Sequence, residues 1–175
     1  TLQTAKSAYK LGRIDIIEGL FDNPFEKEWQ KTFKIEKKIE ADKYIGLFFN
    51  NENHLLKNKK LRQALNYAVK NKPADEHRAL GPFNPDSWAF NPNLKRYDYD
   101  AAHSQKLFEE FAEEEKLNLK ISTSETLLSL AEKIKQSWEE TLAVKVKVEV
   151  VNTIPDDFQV FLGIQEIPSD PDQYS

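Results

Sequence analysis

The sequence is organised around a near-continuous apolar run at residues 44–49, which is closed by Asn50 and Asn51. Apolar runs of this length without alternation are typical of strands that are covered on both faces in the middle of an α/β sheet. We therefore expect a strand at residues 44–49 with a neighbouring strand on each side. No other segment restricts the possible folds as strongly.

An amphipathic helix is predicted shortly after this strand. Its apolar residues follow the i, i+3, i+4, i+7, i+8 spacing of a helix with one buried stripe, and they are Leu61, Ala64, Leu65, Ala68 and Val69. A buried strand that leads into such a helix predicts the core of an α/β domain.

Further elements are predicted along the rest of the chain. Helical spacing at residues 2–9 ends before Gly12, a suitable residue for a helix stop. Residues 21–30 are expected to form a loop or a short helix around Pro24. Alternation of apolar and polar residues predicts strands at residues 13–17, 33–39, 117–122, 144–151 and 158–164.

Two more helices are predicted in the second half. Asp98 or Asp100 can cap the first of them, whose inward residues are Leu107, Phe108, Phe111 and Ala112. Residues 122–125, Ser-Thr-Ser-Glu, resemble a capping box that opens the second, whose buried residues are Leu127, Ala131, Ile134 and Trp138. With the strands on either side, this last helix forms a predicted βαβ unit.

The longest irregular stretch is residues 71–97. It contains Pro73, Pro82, Pro85 and Pro92, four of the eight prolines of the chain. Each proline lacks an N–H and has a fixed φ, so we expect no regular structure here. A loop of this length in a compact domain points to a functional segment.

Composition restricts the class of protein. A length of 175 residues with 39% hydrophobic content is enough for one domain with a sizeable core. The net charge of −4 is dispersed, so we expect no nucleic-acid partner. No Cys is present, which excludes disulfides and thiolate sites, and no apolar stretch approaches the roughly 20 residues of a membrane span. The absence of Met and a helix already under way at the start indicate a fragment of a longer protein.

No catalytic or metal-binding constellation is visible. His54, His77 and His103 lie on separate segments without metal-ligand spacing. Asp170 and Asp172 near the end are explained by a turn around Pro171. The acidic run within residues 109–115 is explained by a solvated helix face. We therefore expect no enzyme activity, no metal and no cofactor.

The motifs, taken together, resemble a known family. Residues 44–50, Tyr-Ile-Gly-Leu-Phe-Phe-Asn, and residues 61–68, Leu-Arg-Gln-Ala-Leu-Asn-Tyr-Ala, resemble the Y-x-x-L-x-F-N and R-Q-A signature of family 5 extracellular solute-binding proteins. Further segments resemble that family in the same order, at residues 11–15, 81–82, 97–107, 130–138, 144–150 and 170–172.

The resemblance implies a fold and a function. The fold would be α/β, a mixed sheet with flanking helices, forming one lobe of a two-lobed periplasmic-binding-protein-like (type II) structure. Residues 1–43 would be the end of the first lobe and the hinge crossing, and residues 44–175 an incomplete second lobe. The protein would be the solute-binding component of an ABC importer, a monomer that captures peptides or a related small solute between its lobes and delivers it to a membrane permease. Its location would be extracellular or periplasmic, with a lipoprotein anchor as one option.

The resemblance also implies ligand-binding positions, at Asn50, Ile164, Glu166 and Ile167. Peptide-binding members resemble W-x-x-D-x-x-D-P before the last turn, where the first Asp pairs with the free amino group of the ligand and the Trp lines the cleft. Here Ile164 takes the place of the Trp and Ile167 that of the Asp. Glu166 is adjacent, but successive side chains of an extended segment point to opposite faces. We therefore expect a ligand without a free α-amino group, or a carboxylate supplied by the other lobe. A second departure is residues 71–81, which are shorter than the matching family segment.

Two alternatives to a binding protein stay open. One is an enzyme on a small α/β domain, which the missing nucleophile, base and orienting group disfavour. The other is an interaction domain that has kept the fold and lost the ligand.

Overall fold

The computed structural model describes residues 2–20, 25, 33–36, 38, 40, 42–72, 78–111 and 117–167. The chain divides into two compact units, Thr1–Lys38 and Ile39–Ser175.

The first unit contains helix α1, Leu2–Lys10. The helix ends as predicted, because Gly12 takes a left-handed φ of +64°. There the N–H of Arg13 donates to the carbonyl of Ala8 at 2.9 Å and the N–H of Gly12 to that of Tyr9 at 3.0 Å. These two bonds are those of a Schellman motif and satisfy carbonyls at the helix end.

Two strands are expected in the first unit, and the prediction is wrong for the residues that the structure describes. Residues 13–17 form no strand, and neither do residues 33–36 and 38. Short alternating segments are stable only in a ladder, and the described residues of this unit contain no strand with which they could pair. Residues 21–30, predicted as a loop or short helix, lie outside the described residues except for Phe25.

The second unit contains a mixed four-stranded sheet in the order β1-β4-β2-β3. The strands are β1 (Lys43–Phe49), β2 (Asn118–Thr123), β3 (Lys145–Val150) and β4 (Val160–Glu166). Strand β4 pairs antiparallel with β1 and parallel with β2, and β2 pairs parallel with β3. The α/β prediction with a mixed sheet is confirmed, as is the parallel pairing of the βαβ unit.

The predicted central position of the first strand is wrong. Among the described residues, β1 is an edge strand that pairs with β4 alone. The apolar residues on both faces of β1 therefore need another explanation than two neighbouring strands. On one face Leu47 and Phe49 pack against the core, and on the other the ring of Phe48 folds over Gly46, where an added Cβ would lie 2.7 Å from it. Aromatic rings of β1 itself therefore cover the second face.

The helices of this unit are α2 (Lys59–Ala68), α3 (Ala101–Glu109) and α4 (Leu128–Leu142). The side chain of Asn58 caps α2 by accepting from the N–H of Lys60 at 2.9 Å. Asp100 caps α3 by accepting from the N–H of His103 at 2.9 Å, so the predicted cap is confirmed.

The predicted capping box at residues 122–125 is wrong. Strand β2 continues through Thr123, whose hydroxyl donates to the carbonyl of Leu162 at 2.8 Å. A short 3-10 turn, Glu125–Leu127, then begins after Ser124 without a side-chain cap bond. Ser122 is inside the strand and fully buried, which removes it from the helix start.

The core lies between the sheet and the helices. The predicted inward residues of α2 and α4 are buried, except that Val69 is only partly buried; the buried ones are Leu61, Ala64, Leu65, Ala68, Leu127, Ala131, Ile134 and Trp138. On β3, Val146 is buried whereas Val148 is only half-buried. Residues 71–72 and 78–97 carry no regular structure, as predicted. In the part of the chain that the structure describes, no helix is long and apolar enough to span a membrane.

Candidate functional site

The candidate site lies at one end of the ribbon formed by β1 and β4. On one face of this ribbon Leu47 faces Leu162 across the strands, and both belong to the core side. The next pair along that face is Ile45 opposite Ile164, which are 38% and 45% exposed. We call Ile45 and Ile164 the apolar ledge. It continues the core face to the surface at a place that no helix covers among the described residues.

Beside the ledge, one side of β4 is open. Strand β2 pairs with β4 only as far as Thr123 opposite Leu162, and the Thr123 hydroxyl occupies the carbonyl of Leu162 there. Backbone groups alternate in direction along a strand, so those of Ile164 point to the same side as those of Leu162. No strand flanks residues 163–166 on that side in the described part of the chain. We call these residues the open edge of β4.

Charged groups lie just past the ledge. Lys43 stands opposite Glu166 across the strands, and its Nζ lies 3.4 Å from Oε2 of Glu40. The hydrogen bond to Glu40 raises the pKa of Lys43, and the nearby charges of Glu40, Asp42 and Glu166 add to that effect against a small cost of burial. The charged form of the Lys43 ammonium is therefore favoured by three neighbouring carboxylates.

The opposite face of the ribbon is aromatic. Gly46 and Gly163 face each other across the strands. The rings of Tyr44 and Phe48 lie over Gly46, and the ring of Phe161 lies so close to Gly163 that an added Cβ would be 2.3 Å from its Cε1. The glycines are required here because any larger residue would displace these rings.

The structure brings three of the four predicted ligand residues to one end of the ribbon. Ile164 and Glu166 share a face by strand alternation, and Ile167 follows, with its N–H donating to the carbonyl of Asp42 at 2.7 Å. Asn50 lies at the other end, five residues along β1 from Ile45, or roughly 17 Å.

The Asn50 side chain forms hydrogen bonds that stabilise its end of the ribbon. Its Nδ2 donates to the carbonyl of Phe158 at 2.9 Å, and its Oδ1 accepts from the N–H of Glu52 at 3.0 Å. An Asn side chain has two donor hydrogens and two acceptor lone pairs, so these two bonds use one of each. Sequence reasoning missed Ile45 and Lys43, because only the register of β1 against β4 places them beside Ile164 and Glu166.

A second cluster of polar groups fixes the irregular segment to the end of α2. The half-buried Nζ of Lys72 donates to the carbonyl of Asn66 at 2.6 Å and to that of Tyr97. The pKa of Lys72 is lowered to about 8, chiefly by burial and also by the charge of Arg78, while the charge of Asp98 opposes both. Because both partners are backbone carbonyls, we assign Lys72 to structure.

Within the described ranges, no group of three or more His, Asp or Glu side chains is placed to hold a metal ion. His54 and His103 are both exposed, and the ring of His103 packs edge-on against Tyr67 at 4.6 Å between centroids. His77, Asp170 and Asp172 lie outside the described residues.

Comparison with known proteins identifies relatives over almost the whole chain. The sequence model of the bacterial extracellular solute-binding proteins, family 5, middle region, matches residues 2–174. Heme-binding protein A of Haemophilus influenzae is 31% identical over 119 residues, which cover 61% of this chain and 21% of that protein.

Solved structures with the same fold match almost the whole chain. NikZ from Campylobacter jejuni in complex with Ni(L-His) is 25% identical, with a TM-score of 0.68 over 98% of this chain and 39% of that one. The oligopeptide-binding protein AppA from Bacillus subtilis, in complex with a nonapeptide, is 20% identical, with a TM-score of 0.71 over 98% of this chain and 40% of that one. The chain thus spans about two fifths of the solved relatives and about a fifth of the curated one.

Proposed function

Because the chain belongs to the bacterial extracellular solute-binding proteins of family 5, we propose that the protein is the solute-binding component of an ABC importer. It captures a peptide or a related small solute between two lobes and delivers it to a membrane permease. Residues 44–175 would belong to the second lobe, and residues 1–43 to the first lobe and the crossing. Capture would be by hinge closure of the lobes over the ligand, outside the cytoplasmic membrane.

The observation that carries this proposal is the open edge of β4 beside the apolar ledge. An extended peptide can add to an open strand edge, where backbone hydrogen bonds give affinity and side-chain contacts give selectivity. At this edge the backbone groups of Ile164 would pair with the ligand, and Ile45 and Ile164 would receive an apolar side chain. Glu166 and Ile167 would border the same stretch. Asn50, at the far end of the ribbon, would contact only a ligand several residues long.

The residue at the position that pairs with the amine in peptide-binding members supports a ligand without a free α-amino group. An ammonium taken out of water needs a carboxylate partner, because an uncompensated buried charge is costly. Ile167 offers none, and the carboxylates of Glu40, Asp42 and Glu166 already act on Lys43. In this proposal, a ligand with a free amine would therefore need a carboxylate from the other lobe.

The test is calorimetric binding of matched peptides to the natural full-length protein. Each peptide is used with a free and with an acetylated amino terminus, on the wild type and on Glu166→Gln. We expect acetylated peptides to bind at least as tightly as free ones, and Glu166→Gln to leave their ratio unchanged. A strong preference for the free amine that disappears in Glu166→Gln would overturn the placement of Glu166.

A broader measurement tests the function itself. The thermal unfolding temperature of the full-length protein is recorded against peptide pools, sugars and metal complexes, since a ligand that binds only the native state raises it. Stabilisation by peptides that Ile164→Asp abolishes supports the proposal. If only sugars or metal complexes stabilise the protein, the proposal is contradicted. It is also contradicted if peptides stabilise the Ile164→Asp variant as much as the wild type.

A further inference from the structure

The far edge of the sheet carries an unusual side-chain contact. Along the parallel pairing with β2, the N–H of Lys145 donates to the carbonyl of Leu117, the residue before β2, at 3.1 Å, and the N–H of Val151 donates to the carbonyl of Thr123, the last residue of β2, at 2.8 Å. Directions alternate along a strand, so Val146, Val148 and Val150 point their backbone groups away from the sheet. The first of these outward donors, the N–H of Val146, donates to Oε1 of Glu139 at 3.1 Å. A carboxylate of α4 thus reaches around to the edge of β3.

Beyond that contact, the edge is open. No strand lies outside β3 in the part of the chain that the structure describes. A surface depression of about 310 Å³ adjoins the Val146 bond; its lining residues include Glu139, Lys145 and Lys147. An open strand edge is a template for pairing with another chain, and inserted charges are a common means of blocking it.

The sequence of β3 is complementary to itself. The strand reads Lys-Val-Lys-Val-Glu-Val. If two copies pair antiparallel with Val148 opposite Val148, Lys147 of each copy faces Glu149 of the second copy, and Val146 faces Val150. Opposite charges directly across strands stabilise a pair, and like charges destabilise it. This register forms the Lys–Glu pair twice by symmetry and places no like charges directly opposite each other, so the matching occupant of the edge is a second copy of this chain.

We propose that Glu139 is an edge guard, whose carboxylate occupies the first outward donor of β3 and keeps this self-complementary edge from pairing with a second copy of the protein. The ladder of a dimer needs the Val146 N–H for the carbonyl of Val150 in the second copy. While Glu139 holds that donor, one end of the ladder is closed, because the Val146 N–H already has its acceptor. The guard acts independently of the ligand site at β4.

The test is the self-association of the full-length protein, measured by sedimentation over a wide concentration range. Glu139→Ala removes the acceptor, and we expect its dimer dissociation constant to be at least about tenfold below that of the wild type. Glu139→Gln keeps an oxygen acceptor for the Val146 N–H and should stay close to the wild type. Glu132→Ala is the matched control, because Glu132 lies on the same helix and its carboxylate pairs with Lys135 at 3.4 Å instead of with the edge of β3.

A charge reversal tests the register. In the Glu139→Ala background, Lys147→Glu places like charges opposite each other and should abolish the dimer, and adding Glu149→Lys should restore it. If Glu139→Ala does not fold, Glu139→Asp replaces it, since the shorter side chain cannot reach the Val146 N–H. Folded, monomeric protein after loss of the guard, or a dimer that ignores Lys147→Glu, would overturn the proposal.

Discussion

The indole N–H of Trp138 on α4 donates to the backbone carbonyl of Leu65 on α2 at 2.8 Å, with the indole fully buried. The carbonyl of Leu65 therefore has a partner from another helix. This bond fixes the position of α2 and α4 relative to each other along their axes. Phe49 of β1 stacks on the same ring at 6.4 Å between centroids. This single side chain joins a strand and two helices of the core.

We expect Trp138→Phe to lower the free energy of unfolding by about 1–3 kcal/mol, because the Leu65 carbonyl loses its donor in a buried place. Urea unfolding measures this. Trp88→Phe is the matched control, since Trp88 is 81% exposed and its replacement should change the free energy by less than about 0.5 kcal/mol. Equal effects of the two changes would contradict the assigned role of Trp138.

The facing glycines of β1 and β4 lead to a second prediction. Gly163→Ala should destabilise the fold by about 1–3 kcal/mol, because the new methyl group must displace the Phe161 ring. In a chain that already carries Phe161→Leu, the same change should cost less. A double-mutant cycle from urea unfolding measures this coupling. Strict additivity of the two substitutions would show that the ring does not restrict residue 163.

The lowered pKa of Lys72 predicts a pH dependence of stability. In the folded protein Lys72 loses its proton near pH 8, whereas in the unfolded chain it keeps it to near pH 10.4. Between these values the unfolded state binds more protons, so the free energy of unfolding should rise with pH over this window. Lys72→Met should flatten that rise. Urea unfolding at several pH values between 8 and 10.5 compares the two proteins, and identical slopes would contradict the burial of the Lys72 charge.

Asn50 provides a test that separates stability from binding. Asn50→Ala should lower the free energy of unfolding by about 1–2 kcal/mol, because the carbonyl of Phe158 and the N–H of Glu52 lose their partner. Affinity for dipeptides should stay unchanged, since the apolar ledge lies roughly 17 Å away. Calorimetry at a temperature where the variant is folded checks this. A large loss of dipeptide affinity would mean that the solute lies nearer to Asn50 than proposed.

Local patterns in the sequence were sufficient for several elements. The apolar spacing of α2 and α4, the Asp100 cap and the left-handed Gly12 each depend on residues within a few positions of one another. Such local rules act whatever the rest of the chain does. For the same reason, the order of matching motifs along the sequence is enough to indicate the family.

The position of β1 in the sheet could not be read from its sequence. A run of apolar residues is expected both of a central strand and of an edge strand whose rings cover its own glycines. Only the strand pairing distinguishes the two, because β4 is the single neighbour of β1 among the described residues. Likewise, the alternation at residues 13–17 matched a strand, but a strand needs a partner, and the partner is a property of the tertiary structure.

For the candidate site too, some features follow from the sequence and others only from the tertiary structure. The sequence by itself, through its resemblance to the family, predicted that Ile164 and Ile167 stand where peptide-binding members have Trp and Asp, because such a prediction needs only residue identity at matched positions. Only the tertiary structure decided that Ile45 stands opposite Ile164, that Lys43 stands opposite Glu166, and that β2 stops pairing at Leu162. Register and strand length arise from long-range pairing between segments more than a hundred residues apart, as in the bond from Asn50 to Phe158. No local pattern carries that information.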